Sequence, residues 1–301
     1  MKNSNDADLL GDRSSFISRV IGHAEFQVNG ISHGYSDRCY WAVVDPRLHP
    51  LYVWKKKSDA SYASSARELK AAIFTNGPMM GKRFGMLKIT RGSVVKIVAG
   101  AAVIGAVAGL AIGRDWFYSL AGAAFCGGAV WARVFANWIP CGTVCGLGQG
   151  VLDRRNFDNE ASTHAWIGRF GQDFASYRIG LGDLPSNACE GLGGLVLLLG
   201  NCTPASEKIG DRSYNYDFAQ LGLKKGVVSW GFVPGHKVIA VIGGKTLSGV
   251  EVAAIHRSIG TRDAVAMDLS ACSMMGSAGR FFIGPPPLHR QSMQMYGLCC
   301  K

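Results

Sequence analysis

"TRDAVAMDLSACSMMG", Thr261 to Gly276, is the stretch on which the reading of this chain turns. Its apolar run, Ala264 to Met267, reads as a buried strand that delivers one carboxylate, Asp268, into a loop of small hydroxyl and thiol residues. A strand that ends this way is either capped by its carboxylate or opens a site. The segments around it have to decide.

Immediately upstream, "LSGVEVAAIHRSIG" (Leu247 to Gly260) carries apolar residues at helical spacing and predicts an amphipathic helix feeding the strand. Further back, "LGGLVLLLGN" and "KVIAVIGG" read as buried strands ended by glycine. "CYWAVVD" (Cys39 to Asp45) and "PLYVW" (Pro50 to Trp54) are expected to pair around "PRLH". "SYASSARELKAAIFTNG" predicts a serine-capped helix that runs into a strand and a turn. Strands outnumber helices and no low-complexity tract separates them. The expectation is one α+β domain, a mixed β-sheet with flanking helices, over residues 24–92 and 141–301, after a tail at 1–23.

The interruption, residues 93–140, has a different character. Ile97–Gly113 ("IVAGAAVIGAVAGLAIG") and Trp116–Ala132 ("WFYSLAGAAFCGGAVWA") carry no charge, and only Arg114 and Asp115 lie between them. At ~1.5 Å per residue each run is near the lower limit for crossing a bilayer core, with Lys96 and Arg133 able to snorkel. Gly105, Gly109 and Gly113 recur every four residues, a face that lets helices approach closely and also offers a route to a homo-oligomer. Trp116, Phe117, Tyr118, Trp131 and Trp138 cluster near the ends, as interfacial aromatics do. A transmembrane helical hairpin is expected, against the alternative of a buried glycine-rich hairpin. Lys82, Arg83, Lys88, Arg91 and Lys96 precede it and Arg133, Arg154 and Arg155 follow, so the positive-inside rule puts the main domain on the cytoplasmic side of a membrane.

Bulk numbers agree with that picture. The 301 residues are 48% hydrophobic with a mean hydropathy of +0.12, and the net charge is +11. The charge favours phosphate-bearing partners, but no nucleic-acid-binding motif is present and no nucleic-acid partner is expected. Nine cysteines show no framework spacing; Cys141 and Cys145 lack a second pair, so neither a metal site nor a cofactor is expected. The N-terminus "MKNSNDADLLGDRSS" has no signal-type apolar core, and the "NCT" sequon at Asn201 matters only in an exported chain.

Five blocks, in order, resemble the phosphodiester glycosidase domain, the family of the uncovering enzyme that removes N-acetylglucosamine from a sugar phosphodiester. "ELKAAIFTNGPMM" resembles a block that usually reads A-x-I-N-G-G-F-F, and "CEGLGGLVLLLGN" the family's Gly-Gly strand. "VSWGFVPGHKVIAVIGG" is similar to its hairpin, "LSGVEVAAIHRSIGTRDAVAMDLSACSMM" to the segment leading into L-D-G-G-G-S-S, and "HRQSMQMYGLCC" to the closing strand. The hairpin insertion has no counterpart. The family's Asp stands at Asp268, a hydroxyl at Ser273, Asn-Gly at Asn76 and Gly77, and the tail Arg at Arg290. The departures are as definite: the glycines after the Asp are Leu269, Ser270 and Ala271, one Ser is Cys272, and the hairpin Arg falls at Val227.

The resemblance implies a hydrolase, a glycosidase acting on glycosyl-1-phosphodiester bonds of a glycan or lipid-linked sugar phosphate. On that reading Asp268, Ser273 and Asn76 form the catalytic group, and Gly77, Arg290 and His236 bind substrate. The chemistry fits: a sugar-1-phosphate diester needs positive charge for phosphate, polar groups for the sugar and a carboxylate to move protons. Each residue also has a plain alternative, Asp268 as a loop cap, Asn76 as a turn former, Arg290 as a surface ion-pair partner, His236 as a hairpin tip. Cys272 would be a nucleophile only with a base such as His256 or His289 beside it. With the loop glycines replaced, the competing expectation is a catalytically altered domain that binds a ligand or serves a membrane complex.

Overall fold

The computed structural model describes residues 15–36, 38–78, 80–84, 87–88, 91–113, 115–136, 138–140, 142–146, 151–155, 164–181, 184–200, 226–269, 272–291 and 294–301. The chain forms two compact units, Met1–Met79 with Pro140–Lys301, and Met80–Ile139. The described strands, in chain order, are β1 (Ile31–Ser36), β2 (Cys39–Val44), β3 (Leu51–Lys55), β4 (Ile73–Thr75), β5 (Met80–Phe84), β6 (Leu87–Lys88), β7 (Trp138–Pro140), β8 (Gly142–Cys145) and β9 (Val151–Arg155). They continue as β10 (His164–Arg169), β11 (Tyr177–Leu181), β12 (Glu190–Leu198), β13 (Val227–Val233), β14 (Val238–Gly244), β15 (Asp263–Ala266), β16 (Met275–Ser277), β17 (Arg280–Ile283) and β18 (Tyr296–Cys300).

In the larger unit a ten-stranded sheet runs β1-β2-β14-β13-β15-β12-β10-β11, with β8 and β9 branching from β12. A five-stranded sheet runs β17-β16-β4-β18-β3. The strand alternation builds the layers. Trp41 and Val43 on β2, Ala240 and Ile242 on β14, and Ala264 and Ala266 on β15 face a core shared with Phe16, Val20, Val252 and Ile255 of the covering helices. Their neighbours Ala42, Val44, Val241 and Val265 face the other way, onto Leu51, Ile73, Met275 and Leu298 of the second sheet. Beyond that sheet, helix Tyr62–Arg67 closes the outer face with Trp54, Phe74 and Met274. The order is helices, large sheet, small sheet, helix, with both sheets covered on both faces. That explains the near-continuous apolar runs in β12 to β15.

The expected serine cap is present: Ser61 caps helix Tyr62–Arg67 by accepting the N–H of Ser64 at 3.0 Å. The expected helix after Leu247 is Gly249–Ser258, and the structure adds a capping box between Ser248 and Glu251. Two expectations need correction. The described strand pairs are all antiparallel, so the sheets are antiparallel rather than mixed. And β2 and β3 do not pair with each other: β2 lies between β1 and β14, and β3 at the edge of the small sheet beside β18. Both strands carry apolar residues on two faces, a demand that one hairpin cannot meet and two stacked sheets do.

The smaller unit holds helices Arg91–Gly113 and Trp116–Ala136, with β5, β6 and β7 forming a three-stranded sheet. Gly105 meets Gly122, and Gly109 meets Tyr118, so the two helices run antiparallel. A Cβ at Gly105 would overlap the carbonyl of Gly122, and one at Gly109 that of Tyr118. The glycine repeat is therefore covered by the adjoining helix of the same chain. Val95–Gly113 is long and apolar enough to cross a membrane, and only 6% of that span is buried. Ile104, Ile112 and Phe125 are among its exposed apolar side chains and those of its neighbour.

Candidate functional site

At the end of β15 the backbone passes from one sheet to the other. Met267 N–H still donates to Val228 of the large sheet at 2.9 Å, while Asp268 N–H donates to the carbonyl of Gly77 at 2.9 Å, just beyond β4 of the small sheet. Asn76 fastens this crossing. Its Nδ2 donates to the Asp268 carbonyl at 2.9 Å and to the Gly77 carbonyl at 3.3 Å, and its Oδ1 accepts the N–H of Met274 at 2.9 Å. Its backbone N–H donates to Met274 at 3.1 Å. Ser273 Oγ donates to the Asp268 carbonyl at 3.4 Å. Asn76, Gly77, Asp268 and Ser273, 197 positions apart at the extremes of the sequence set, thus meet in one place.

Supporting groups hold the floor. Gly77 lies so close to Tyr296 that a Cβ would overlap its carbonyl, and Tyr62 O–H donates to that same carbonyl at 2.7 Å. Thr75 Oγ1 donates to the Asn76 carbonyl at 3.0 Å and accepts Trp230 Nε1–H at 2.9 Å. Burial raises the Tyr62 pKa well above its ordinary value, and the nearby Cys272 and Asp268 push it the same way, so Tyr62 stays a neutral donor.

Gln294 is the residue that sequence reading missed. It is fully buried, and its Nε2 donates to Asp268 Oδ2 at 2.7 Å. Its Oε1 is buried without a hydrogen-bond partner. Nothing in "HRQSMQMYGLCC" marks this glutamine; only its place just before β18, beside the loop that ends β15, gives it the contact.

Exposure sorts the group. Asp268 is half-buried, whereas Asn76 and Gln294 are sealed and Ser273 is 5% exposed. Asn76 is thus enclosed and bonded to the loop on both ends of its amide, whereas Asp268 is partly open to solvent. Leu269, where the resemblance has glycine, is buried at 9% and packs in the helix-side core. His236 is elsewhere. Asp263 of β15 opposes Phe232 while Ala266 opposes Ser229, so the turn carrying His236, past Val233, lies beyond the end of β15 opposite Asp268. There His236 is 3.4 Å from Ser18 Oγ. Arg290 is in helix Leu288–Gln291, and its side chain lies outside the described residues, as do Ser270, Ala271 and the side chain of His289.

His256 offers Cys272 no base. It belongs to a separate buried chain, with Nε2 at 2.8 Å from Ser229 Oγ and Nδ1 at 3.1 Å from Thr261 Oγ1. Ser229 spends its proton on the Ile242 carbonyl at 2.9 Å, so the imidazole donates from Nε2 and accepts at Nδ1. Burial lowers its pKa to about 3 and keeps it neutral. The arrangement resembles a nucleophile–base pair in composition only. Among the described residues no group of three His, Cys, Asp or Glu is placed to hold a metal ion, and the two described cavities lie away from Asp268.

No protein-family model matches the sequence, and no curated protein matches it. Among solved structures, the catalytic domain of zebrafish N-acetylglucosamine-1-phosphodiester alpha-N-acetylglucosaminidase, auto-inhibited by its pro-peptide, is similar with a TM-score of 0.52 and 11% identity, covering 90% of this chain and 81% of that one. A hypothetical protein from Synechocystis aligns with a TM-score of 0.46 and 10% identity over 90% of this chain and 62% of that one. At such identity the likeness to the zebrafish domain is one of fold.

Proposed function

We propose that the chain is a membrane-associated hydrolase of glycosyl-1-phosphodiester bonds, acting at the Asp268 loop on a glycan or lipid-linked sugar phosphate. The observation that carries this reading is the meeting of Asn76, Gly77, Asp268 and Ser273 across two sheets, within a fold similar to that of a phosphodiester glycosidase. Asp268 accepts a proton from the attacking water as its oxygen bonds to the anomeric carbon. The bond from that carbon to the phosphate oxygen breaks, and the phosphomonoester leaves. Arg290 is assigned to the phosphate, in a bidentate fork. The exposed apolar surface of Val95–Gly113 supports an anchor in a bilayer, with the basic flanks setting the main domain on the cytoplasmic side.

A second reading has its own support. Leu269 is packed into the core and Asn76 is engaged on both ends of its amide, so the loop has less open backbone than a glycine-rich one. That favours a domain that binds a sugar phosphodiester without cleaving it. A panel of sugar-1-phosphodiesters separates the two: turnover by the intact chain that is lost in Asp268→Asn supports the hydrolase. Binding without turnover supports the second reading, and neither binding nor turnover rejects both.

A further inference from the structure

A cavity of about 490 Å³ opens at the other end of β4 from Asp268, lined by His33, His49, Arg67, Lys70, Ser277 and Lys301 around a wall of Ile31, Leu69 and Ala72. Ala71 marks that end by accepting the N–H of Ala278 at 2.9 Å, whereas Asn76 marks the other by bonding Met274. The four residue steps from Ala72 to Asn76 span roughly 13 Å at ~3.3 Å each. This is a second place, in the size range of small-molecule sites.

Its electrostatics are one-sided. No acidic residue lines it. Among the described residues no carboxylate pairs with Arg67, Lys70 or Lys301. Two of these cations are instead set against rings: the Arg67 guanidinium is 5.4 Å from the Phe281 centroid and the Lys301 ammonium 5.7 Å from that of Tyr52. A cation held on an aromatic face is oriented without being neutralised. His49 Nε2 contacts the Asn29 carbonyl at 2.6 Å, which fixes that nitrogen as the donor. His33 stacks on Phe282 at 5.0 Å, and burial lowers its pKa against the opposing pull of Glu25, leaving it a neutral hydrogen-bonding group. Arg67, Lys70 and Lys301 thus bring three cationic side chains to one lining, a balance that favours an anion.

We propose that this cavity binds a small phosphate-bearing ligand, with the phosphate between Arg67, Lys70 and Lys301 and the body of the ligand against the apolar wall. Arg67 supplies two N–H donors in the plane a phosphate needs, and the lysines supply charge. Ser277 and the two imidazoles offer hydrogen bonds to the ester oxygen or the hydroxyls beyond it. The site does not depend on the hydrolase reading.

The test uses the full-length chain in detergent and in nanodiscs. Calorimetric titration with inorganic phosphate is expected to give saturable binding that weakens about tenfold or more in the Arg67→Gln, Lys70→Gln double variant and is retained in Arg290→Gln. A parallel arm compares the same two proteins on phosphatidylcholine nanodiscs with and without phosphatidic acid. Phosphate binding lost in the double variant points to a soluble phosphate ester. A deficit confined to phosphatidic acid points to a lipid headgroup. Equal behaviour of wild type and double variant in both arms overturns the proposal. Loss of phosphate binding in Arg290→Gln, with the double variant unchanged, also overturns it and moves the anion to the Asp268 loop.

Discussion

Gln294 donates its amide N–H to Asp268 Oδ2 at 2.7 Å from a position fully closed to solvent. A neutral donor fixed against a carboxylate oxygen stabilises the charged form over the protonated one. Gln294→Leu removes the donor and is expected to lower turnover by about tenfold or more, since a hydrogen bond to a charged group contributes about 1.5–3 kcal/mol. Gln294→Glu sets two carboxylates in contact. Its loss of melting temperature relative to wild type should widen as pH rises and narrow as the pair takes up a proton. Melting curves across pH check this; a deficit independent of pH would mean that the two side chains do not meet.

Asn76 is the clamp between the sheets. Asn76→Ala leaves the Met274 N–H and the Asp268 carbonyl without these partners in a buried setting. At about 1–3 kcal/mol for each buried group left unmade, a loss of about 2–6 kcal/mol is expected from denaturant midpoints. Ser273→Ala, whose hydroxyl makes a 3.4 Å contact to the same carbonyl, should cost far less. Similar costs for the two would place the clamp elsewhere.

What the sequence made legible follows from distance along the chain. The helix within Leu247 to Gly260, the serine cap of the helix before β4 and the strand leading to Asp268 are local patterns, complete within a few residues. The meeting of Asn76 with Asp268 was accessible only through the resemblance, because 192 residues separate them and neither segment names the other. Gln294 was invisible for the same reason and has no motif to betray it. The β2–β3 pairing failed because adjacency in sequence favours hairpins, whereas two-faced apolar strands need separate sheets above and below. Gly105 and Gly109 announced close helix approach correctly; that they serve the hairpin itself depends on Gly122 and Tyr118, which carry no signal of their own.

His256 gives the large unit a dependence on pH. Its folded value is lowered from 6.5 to about 3 by burial. Between these values the unfolded chain binds a proton that the folded chain refuses, so stability rises with pH across this window and is lost on acidification below pH 6.5. The slope from one such group is at most about 1.4 kcal/mol per pH unit. His256→Gln, which keeps hydrogen-bonding capacity but cannot titrate, should show a shallower fall in stability between those limits. An unchanged slope would assign the acid sensitivity to carboxylates.

Contact between the two hairpin helices can be read chemically. The Cβ of Ala102 lies 3.3 Å from where a Cβ on Gly127 would stand, close to the spacing of a disulfide. Ala102→Cys with Gly127→Cys is expected to cross-link within one chain under mild oxidation. Adding Gly109→Leu, which collides with the backbone at Tyr118, should abolish the cross-link, whereas Gly100→Leu, which meets open space, should not. Cross-linking between chains rather than within one would favour the oligomer over the hairpin.

The apolar surface of the hairpin makes the last prediction. Ile104 and Ile112 are 70% and 84% exposed on Val95–Gly113, an arrangement that water disfavours and a bilayer accepts. The intact chain is expected in the membrane fraction, resistant to salt and released by detergent. Basic flanks alone would release on raising the salt, since their attraction is screened within a Debye length of ~8 Å at physiological ionic strength. Replacing Ile104 and the equally mid-span, exposed Val107 by lysine puts two charges in the span, each costing about 2.5–3.5 kcal/mol near a helix centre on insertion scales, and should shift the protein toward the soluble fraction. The same change at two exposed apolar positions of the larger unit, Val28 and Leu288, should not. Wild-type chain recovered in the soluble fraction without detergent would remove the anchor, and would leave the Asp268 loop to be judged on its chemistry alone.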